Sequence, residues 1–248
     1  MEYKMNVHFF KEMLKKSTLN FSINTVHLNI SKDKVVSRMI NTDKNIIILI
    51  DTENQIIENL EDDKSFDFNF SEPQQQLTPF LNIIDNDDVI VDITDEKIVI
   101  KDHGLNTKIF FCSPTIVNTF GTQNARDVDS FLEMDLDDNF YNSYLKIKKV
   151  GSKFGKVYFT VKNGGFYIET LDKSNTFSNG VSFLLDNQVE EQDLTMLFNF
   201  KNFVNLMTVI DVNFKFKFAY LKEQEMGMLS VVSSDESEKY YLMSQEEI

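Results

Sequence analysis

The stretch Phe9–Lys15 reads FFKEMLK, and it returns as FYNSYLK at Phe140–Lys146, which lies 131 positions further along the chain. Two other aromatic or apolar stretches repeat in the same order, at offsets of 130 and 126: Phe68–Phe70 as Phe198–Phe200, and Phe80–Asp85 as Leu206–Asp211. Self-similarity at a nearly constant offset indicates a duplicated structural unit. The sequence therefore predicts two similar domains, residues 1–113 and 131–248, joined by an interdomain connector at 114–130.

Each copy has the same order of predicted elements, which is helix, strands, helix and strands. The opening helices follow from apolar residues at helical spacing in Phe9–Lys15 and Phe140–Lys146, and second helices are predicted near 74–85 and 201–211. Strict alternation in Phe66–Phe70 predicts a strand with one buried face. The other predicted strands are 20–31, 35–50, 89–93, 97–101, 108–112, 157–161, 165–171, 213–221, 228–233 and 240–243. Two helices packed on a mostly antiparallel sheet in each domain make an α+β protein.

Composition excludes several classes of protein. The 248 residues carry a formal net charge of −14, which argues against general affinity for nucleic acid unless the basic residues share one surface. The single cysteine excludes an intramolecular disulfide or a cysteine zinc site, and His8, His27 and His103 lack metal-ligand spacing. No phosphate-binding or nucleophile motif is present. The acidic runs Asp85–Asp88 and Asp235–Glu238 are interpreted as solvated turns. The sequence predicts no enzyme, no cofactor, no metal, and no membrane span.

The duplicated layout resembles the sliding-clamp family of DNA polymerase processivity rings, which includes proliferating cell nuclear antigen and the clamps of tailed bacteriophages. Phe70–Pro114 is similar to the end of a phage clamp's first domain, and Tyr144–Lys149 to the basic helix that opens its second. Lys162–Ile168 resembles the hairpin that follows, and Met226–Leu229 and Lys239–Leu242 resemble the last strands of the cellular clamp. The resemblance implies a duplicated DNA-clamp fold over nearly the whole chain, with the length of the trimeric rings.

The family resemblance implies a homotrimeric ring, probably too acidic outside to attract DNA there, that encloses duplex DNA and tethers the replicative polymerase.

Results

Sequence analysis

The stretch Phe9–Lys15 reads FFKEMLK, and it returns as FYNSYLK at Phe140–Lys146, 131 positions further along the chain. Two other aromatic or apolar stretches repeat in the same order, at offsets of 130 and 126: Phe68–Phe70 as Phe198–Phe200, and Phe80–Asp85 as Leu206–Asp211. Self-similarity at a nearly constant offset indicates a duplicated structural unit. The sequence therefore predicts two similar domains, residues 1–113 and 131–248, joined by an interdomain connector at 114–130.

Each copy has the same order of predicted elements: helix, strands, helix, strands. Apolar residues at helical spacing in Phe9–Lys15 and Phe140–Lys146 predict the opening helices, and second helices are predicted near 74–85 and 201–211. Strict alternation in Phe66–Phe70 predicts a strand with one buried face. The other predicted strands are 20–31, 35–50, 89–93, 97–101, 108–112, 157–161, 165–171, 213–221, 228–233 and 240–243. Two helices packed on a mostly antiparallel sheet in each domain make an α+β protein.

Composition and motifs exclude several classes of protein. The 248 residues carry a formal net charge of −14, which disfavours nucleic acid unless the basic residues share one surface. The single cysteine excludes an intramolecular disulfide or a cysteine zinc site, and His8, His27 and His103 lack metal-ligand spacing. There is no phosphate-binding or nucleophile motif, and the acidic runs Asp85–Asp88 and Asp235–Glu238 are interpreted as solvated turns. The sequence predicts no enzyme, cofactor, metal site or membrane span.

The duplicated layout resembles the sliding-clamp family of DNA polymerase processivity rings, which includes proliferating cell nuclear antigen and the clamps of tailed bacteriophages. Phe70–Pro114 is similar to the end of a phage clamp's first domain, and Tyr144–Lys149 to the basic helix that opens its second. Lys162–Ile168 resembles the hairpin that follows, while Met226–Leu229 and Lys239–Leu242 resemble the last strands of the cellular clamp. The resemblance implies a duplicated DNA-clamp fold over nearly the whole chain.

The resemblance also implies a function, which is a viral, phage-like processivity factor located in the host cytoplasm or nucleoid. It would form a homotrimeric ring around duplex DNA, tether the replicative DNA polymerase, and need a separate ATP-driven clamp loader. A ring that slides must attract phosphates without reading bases. The candidate DNA-binding residues are the lysines on or beside the two opening helices and one on the last helix: Lys11, Lys15, Lys16, Lys146, Lys148, Lys149, Lys153 and Lys201.

A docking site for polymerase and loader is the other feature that the resemblance implies. In clamps a short partner peptide enters an apolar pocket beneath the connector, with apolar anchors and backbone contacts at its rim. The candidate partner-binding residues come from both copies and from the connector: Met39, Ile40, Val117, Phe120, Asn213 and Tyr241. The strands that would join subunits are not identified by the sequence.

Two other functions stay open at this point. One is an open viral processivity subunit of herpesvirus type, which binds DNA on an exposed basic face; the net charge of −14 argues against it. The other is an acidic protein-interaction module without a DNA role, in which the lysines are only the solvated faces of amphipathic helices. Scrambling the lysine clusters would leave such a module functional and would cripple a clamp.

Overall fold

A computed structural model describes residues 2–121, 128–172, 179–190, 193–221 and 224–245 of the chain. The chain folds into two compact units, Met1–Ala125 and Arg126–Ile248. The division falls within the predicted connector. Within the described ranges, no helix is both long enough and apolar enough to cross a membrane.

The first unit contains two antiparallel sheets, ordered β5-β1-β7-β8-β9 and β4-β3-β2-β6. A 3₁₀ turn at Pro114–Ile116 follows its last strand. The strands are β1 Glu2–Asn6, β2 Thr25–Ser31, β3 Lys34–Ile40, β4 Ile46–Glu53, β5 Ile57–Glu58, β6 Ser65–Ser71, β7 Asp88–Ile93, β8 Lys97–Asp102 and β9 Leu105–Phe110. The helices are α1 Val7–Ser17, α2 Pro73–Gln76 and α3 Thr78–Asn82.

The second unit also contains two antiparallel sheets, ordered β13-β12-β11-β14 and β10-β15-β16-β17. The strands are β10 Leu132–Asp135, β11 Lys156–Lys162, β12 Gly165–Thr170, β13 Val181–Asp186, β14 Leu194–Asn199, β15 Phe214–Leu221, β16 Met226–Ser233 and β17 Glu238–Met243. The helices are α4 Asp138–Gly151 and α5 Phe200–Val209. Both units are therefore α+β, with the duplicated layout that the sequence predicted.

Buried side chains recur at helical spacing along α1 and α4, the two opening helices. The matching buried positions are Phe10, Met13, Leu14 and Ser17 in α1, and Phe140, Ser143, Tyr144 and Ile147 in α4. These stripes match at an offset of 130, whereas the sequence pattern aligned the helices at 131. The pattern paired Phe10 with Tyr141, but Tyr141 is 46% exposed and Phe140 is buried. What repeats is therefore the buried stripe and not the identity of neighbouring aromatic residues.

The helix predicted near 74–85 is wrong as a single element, because the chain forms two short helices there, α2 and α3. Pro79 lies in the first turn of α3, where its missing N–H costs nothing, but it cannot continue a helix that began at Pro73. In the second unit the corresponding helix, α5, contains no proline and runs unbroken.

Three strand predictions also need correction. The strand predicted at 20–31 begins only at Thr25, because Leu19, Asn20 and Phe21 have φ values of 49°, 49° and 64° and form a left-handed turn. The strand predicted at 35–50 is two strands, since the Asn41 side chain closes a turn between β3 and β4. Short strands β1 and β10 precede the helices that were expected to open each copy.

A close contact in the second unit gives a stability prediction. A Cβ atom added at Gly151, the last residue of α4, would lie 2.2 Å from Cε2 of the buried Phe200 ring. We expect Gly151→Ala to lower the free energy of unfolding by about 1–3 kcal/mol through overpacking, although alanine favours helix. Denaturant titration measures the change. The control is Gly121→Ala, where a Cβ meets nothing within 4 Å; equal stability of the two variants would contradict this packing.

Candidate nucleic-acid and partner interfaces

The α1 lysines lie off the buried stripe of that helix. Lys15 is exposed, and Lys11 and Lys16 are half-buried. Lys11 and Lys15 form no ion pair with any carboxylate in the described part of the chain, so their ammonium groups are available to an anionic partner. Lys15 and Lys16 are also in the last helical turn, where a cation favours the helix dipole. Helix stability alone therefore accounts for part of this cluster.

The α4 lysines are divided between the two flanks and the solvent face of the helix. The Lys146 Nζ atom lies 5.1 Å from the ring centroid of Phe183 on β13, and the Lys148 Nζ atom lies 5.7 Å from that of Tyr144. Both ammonium groups are therefore attracted to aromatic rings of their own unit. Lys149 and Lys153 are exposed, and neither has an ion-pair partner among the described residues.

Lys201 differs from the other candidate lysines because it stands in the first turn of its helix. Asn199 caps α5 by accepting a hydrogen bond from the Asn202 N–H at 3.1 Å, and Lys201 is exposed just beyond that cap. A cation near a helix N-terminus is disfavoured by the helix dipole. Helix stability does not explain this lysine, and a phosphate-binding role would.

The partner-binding candidates of the first unit come together along the end of β3. The Ile40 N–H donates to the Asn118 carbonyl at 3.3 Å, and the Phe120 N–H donates to the Arg38 carbonyl at 3.0 Å. This pairing lays the start of the connector against the strand. Neighbouring strand residues point to opposite faces, so Met39 is completely buried while Ile40 is half-exposed.

The same arrangement separates the two connector candidates. Val117 is only 7% exposed, and Phe120 is half-exposed. The structure thus places Met39 and Val117 in the core and leaves Ile40 and Phe120 with surface to offer a partner.

Tyr241 of the second unit lines a groove of about 330 Å³. The floor comes from β15, β16 and β17, and the Lys217 Nζ atom is 3.0 Å from a Glu133 carboxylate oxygen. The hydrogen bond from Lys217 lowers the pKa of Glu133. The full lining is Val128, Asp129, Ser130, Glu133, Lys217, Ala219, Met228, Ser230, Val232, Glu236, Lys239 and Tyr241. This groove is far more polar than the apolar pocket that the sequence predicted.

Asn213 does not line that groove. Its backbone N–H donates to the Asp211 carboxylate at 2.9 Å, and its carbonyl accepts from the Ser234 side chain, so it closes the turn before β15. Sequence reasoning missed Lys217 as a groove residue, although the alternation in Phe214–Phe218 was a usable signal because it places both lysines opposite the buried phenylalanines.

The acidic runs form hydrogen-bonded turns. The Asp235 carboxylate accepts from the side chains of Ser233 and Ser237 and from the Ser237 N–H, and these bonds lower its pKa to about 2. Asp88 lies 3.1 Å from the Lys4 ammonium. Within the described residues, no group of three or more histidine, cysteine or acidic side chains is placed to hold a metal ion.

The strands β9 and β13 each lie at one end of a sheet, and each pairs on one side only within the described residues. Phe110 on β9 is 63% exposed, and Phe80 beside it is 46% exposed; both line a groove of about 460 Å³. Leu184 on β13 is 45% exposed, and Leu145 is exposed on α4, which packs against that strand. An unpaired strand with exposed apolar side chains is a template for pairing with another chain.

Comparison with known proteins identifies the fold. No protein-family model matches the chain, and no curated protein matches it. Among solved structures, the chain is similar to the PCNA2–PCNA3 complex of Sulfolobus tokodaii, with 16% identity, a TM-score of 0.65, and all of both chains covered. It is also similar to PCNA of Entamoeba histolytica, with 14% identity, a TM-score of 0.61, and 99% of this chain and 98% of that chain covered.

Bacterial clamps share the fold but are longer. The DNA polymerase III β chain of Streptococcus pneumoniae matches with 14% identity and a TM-score of 0.72, covering all of this chain and 65% of its own. The chain thus has the fold of the DNA sliding clamps, as the resemblance implied, and its two units span the full length of the PCNA-type chains.

Proposed function

We propose that this chain is a DNA polymerase processivity factor that closes into a homotrimeric ring around duplex DNA. The observation that carries the proposal is the pair of unpaired strands β9 and β13, which lie in different units and are each flanked by exposed apolar residues. Two unlike edges on one chain pair head to tail, and such heterologous contacts produce rings when the rotation closes. Pairing would remove both open edges and bury the exposed apolar groups.

The number of subunits follows from the number of units in each chain. The chain covers the whole of a PCNA-type chain but only 65% of a bacterial clamp chain, so a ring of similar circumference would need more copies of this chain than of the bacterial one. Three chains of 28.9 kDa give about 87 kDa. Light scattering on a size-exclusion column over a concentration series tests this; a species that stays monomeric at every concentration would contradict the ring.

Within this proposal, the lysines on the helices bind phosphates and the groove beside Tyr241 takes a peptide of the polymerase or of an ATP-driven loader. Lys15, Lys149 and Lys201 are exposed on three different helices, and lysines contact phosphates without reading base sequence. The proposed setting is the replication machinery of a virus, in the host cytoplasm or nucleoid. The ring itself would carry out no chemistry.

The docking groove yields a binding prediction. We expect Tyr241→Ala to weaken the binding of a peptide carrying the C-terminal residues of the cognate polymerase by about tenfold or more, because aromatic anchors dominate such sites. Titration of the labelled peptide by fluorescence anisotropy measures the dissociation constant. Asn213→Ala, outside the groove, is the control. Equal affinity of the Tyr241 variant and the wild type would show that the peptide docks elsewhere.

A further inference from the structure

The solvent-facing side of β8 and β9 is basic. These two strands carry three lysines and one carboxylate, Asp102. Lys101 is paired with Glu2 at 2.5 Å. Lys108 is exposed in the middle of β9, and Lys97 lies 5.7 Å from the Phe110 ring centroid; neither is paired with a carboxylate among the described residues. Two uncompensated positive charges therefore accompany this edge.

The corresponding side of β12 and β13 is acidic. The two strands contain no lysine or arginine and carry Glu169 and Asp186. The Glu169 carboxylate accepts from the hydroxyl of Ser182 on β13 at 2.7 Å and from that of Thr160 at 3.1 Å, so it is held beside the edge strand. Lys146 covers Phe183, whose neighbour Ile168 is buried, so that lysine lies on the helix side of the sheet.

We propose that the sign of the charge on each edge selects the pairing partner, so that β9 of one copy pairs with β13 of the next. The inference rests on the proposed ring and adds the selection rule. Side chains on adjacent strands interact across a pair, and like charges placed opposite each other are destabilising. Pairing of β9 with β9 would bring lysine to lysine, and pairing of β13 with β13 would bring carboxylate to carboxylate. Only the head-to-tail junction brings opposite charges together.

Selection of this kind has a structural purpose in a ring. Pairing of identical edges would produce two-fold contacts that compete with ring closure. Electrostatic complementarity suppresses wrong partners and orients the encounter more than it adds affinity. The exposed apolar residues then supply the affinity of the correct junction, whichever charges surround it.

Charge reversal tests the rule directly. We expect Lys97→Glu with Lys108→Glu to raise the dissociation constant of the junction by about tenfold or more, and Glu169→Lys with Asp186→Lys to do the same. Combining all four changes on one chain restores opposite signs and should return assembly to near the wild-type level. The control is Lys44→Glu with Lys215→Glu, which changes the net charge of the chain equally but lies on β15 and in a turn.

A mixture of the two double variants gives an independent check. Unlike variants attract each other, but a three-membered ring made from two types always contains one junction between identical types. Mixing should therefore form heterodimeric contacts in light scattering without restoring the 87-kDa species. Recovery of that species on mixing would overturn the rule.

The variants also separate this inference from the proposed function. If the wild type forms the ring and the Lys97 and Lys108 double variant assembles as the control does, the charge rule is wrong and the ring stands. If the wild type itself never assembles, the proposed ring fails. Should the Glu169 and Asp186 variant not fold, the β9 double variant and its control still decide the rule, because neither alters the β13 edge.

Discussion

Replacing Phe110 with aspartate is expected to convert the assembled ring to monomers at micromolar concentration while each chain stays folded. Phe110 is already 63% exposed in the single chain, so its replacement removes little burial from the fold itself. In the ring the same ring face would be covered by the next copy, and a charge placed there would be desolvated without a partner. The dissociation constant should rise by about 100-fold, the effect of losing an interface hot spot.

The measurement is light scattering across a concentration series, with circular dichroism to confirm folding. Val212→Asp is the matched control, because Val212 is 76% exposed in a loop away from both edge strands. A second variant, Leu184→Asp on β13, should give the same result from the other side of the junction. If Phe110→Asp and Leu184→Asp both assemble as the control does, the two edge strands do not join the subunits.

Reversing charge at Lys149 and Lys201 should remove most of the affinity for DNA and leave assembly intact. Both side chains are exposed, on α4 and α5, and neither takes part in an ion pair in the described part of the chain. A trimer would lose six positive charges and gain six negative ones. Since each phosphate contact contributes to the logarithm of affinity and to its salt dependence, retention on duplex DNA should fall by about 100-fold or more near 0.1 M salt.

The control again is Lys44→Glu with Lys215→Glu, which has the same net charge. Lys146 is left unchanged because it packs over Phe183 on β13, and its reversal would disturb the junction as well as the DNA surface. Retention is measured by cross-linking to fluorescent duplex at several salt concentrations. Unchanged retention, with the same salt slope as the control variant, would assign these lysines to solvated helix faces alone.

The fold could be predicted because its strongest signals are periodic and occur twice. Alternation in Phe66–Phe70 and Phe214–Phe218 sets both the strand and its buried face, and both segments are strands. The boundaries depended on local chemistry that period alone does not reveal. Pro79 split one helix, and three residues with positive φ shortened β2. Short strands such as β1 and β10 gave too few residues for a period to be visible.

The site was harder to predict, because pattern does not determine which way a side chain points when both neighbours are apolar. Met39 and Ile40 were equivalent in sequence, and only the register of β3 distinguishes the buried one from the exposed one. Lys146 and Lys149 belonged to one basic cluster, yet one lies over an aromatic ring and the other faces solvent. The free edges could not be recognised at all, since an edge is defined by the strand that is missing beside it.

The central claim, that the protein encloses DNA, is tested most directly with linear duplexes that differ only at their ends. The protein is cross-linked at about 0.1 M salt, near one Debye length of about 10 Å, to a duplex with open ends and to the same duplex with streptavidin bound at both ends. A closed ring threads over open ends, so we expect cross-linking to the open duplex and its loss on the blocked one. Equal cross-linking to both would contradict enclosure and would indicate an open DNA-binding face.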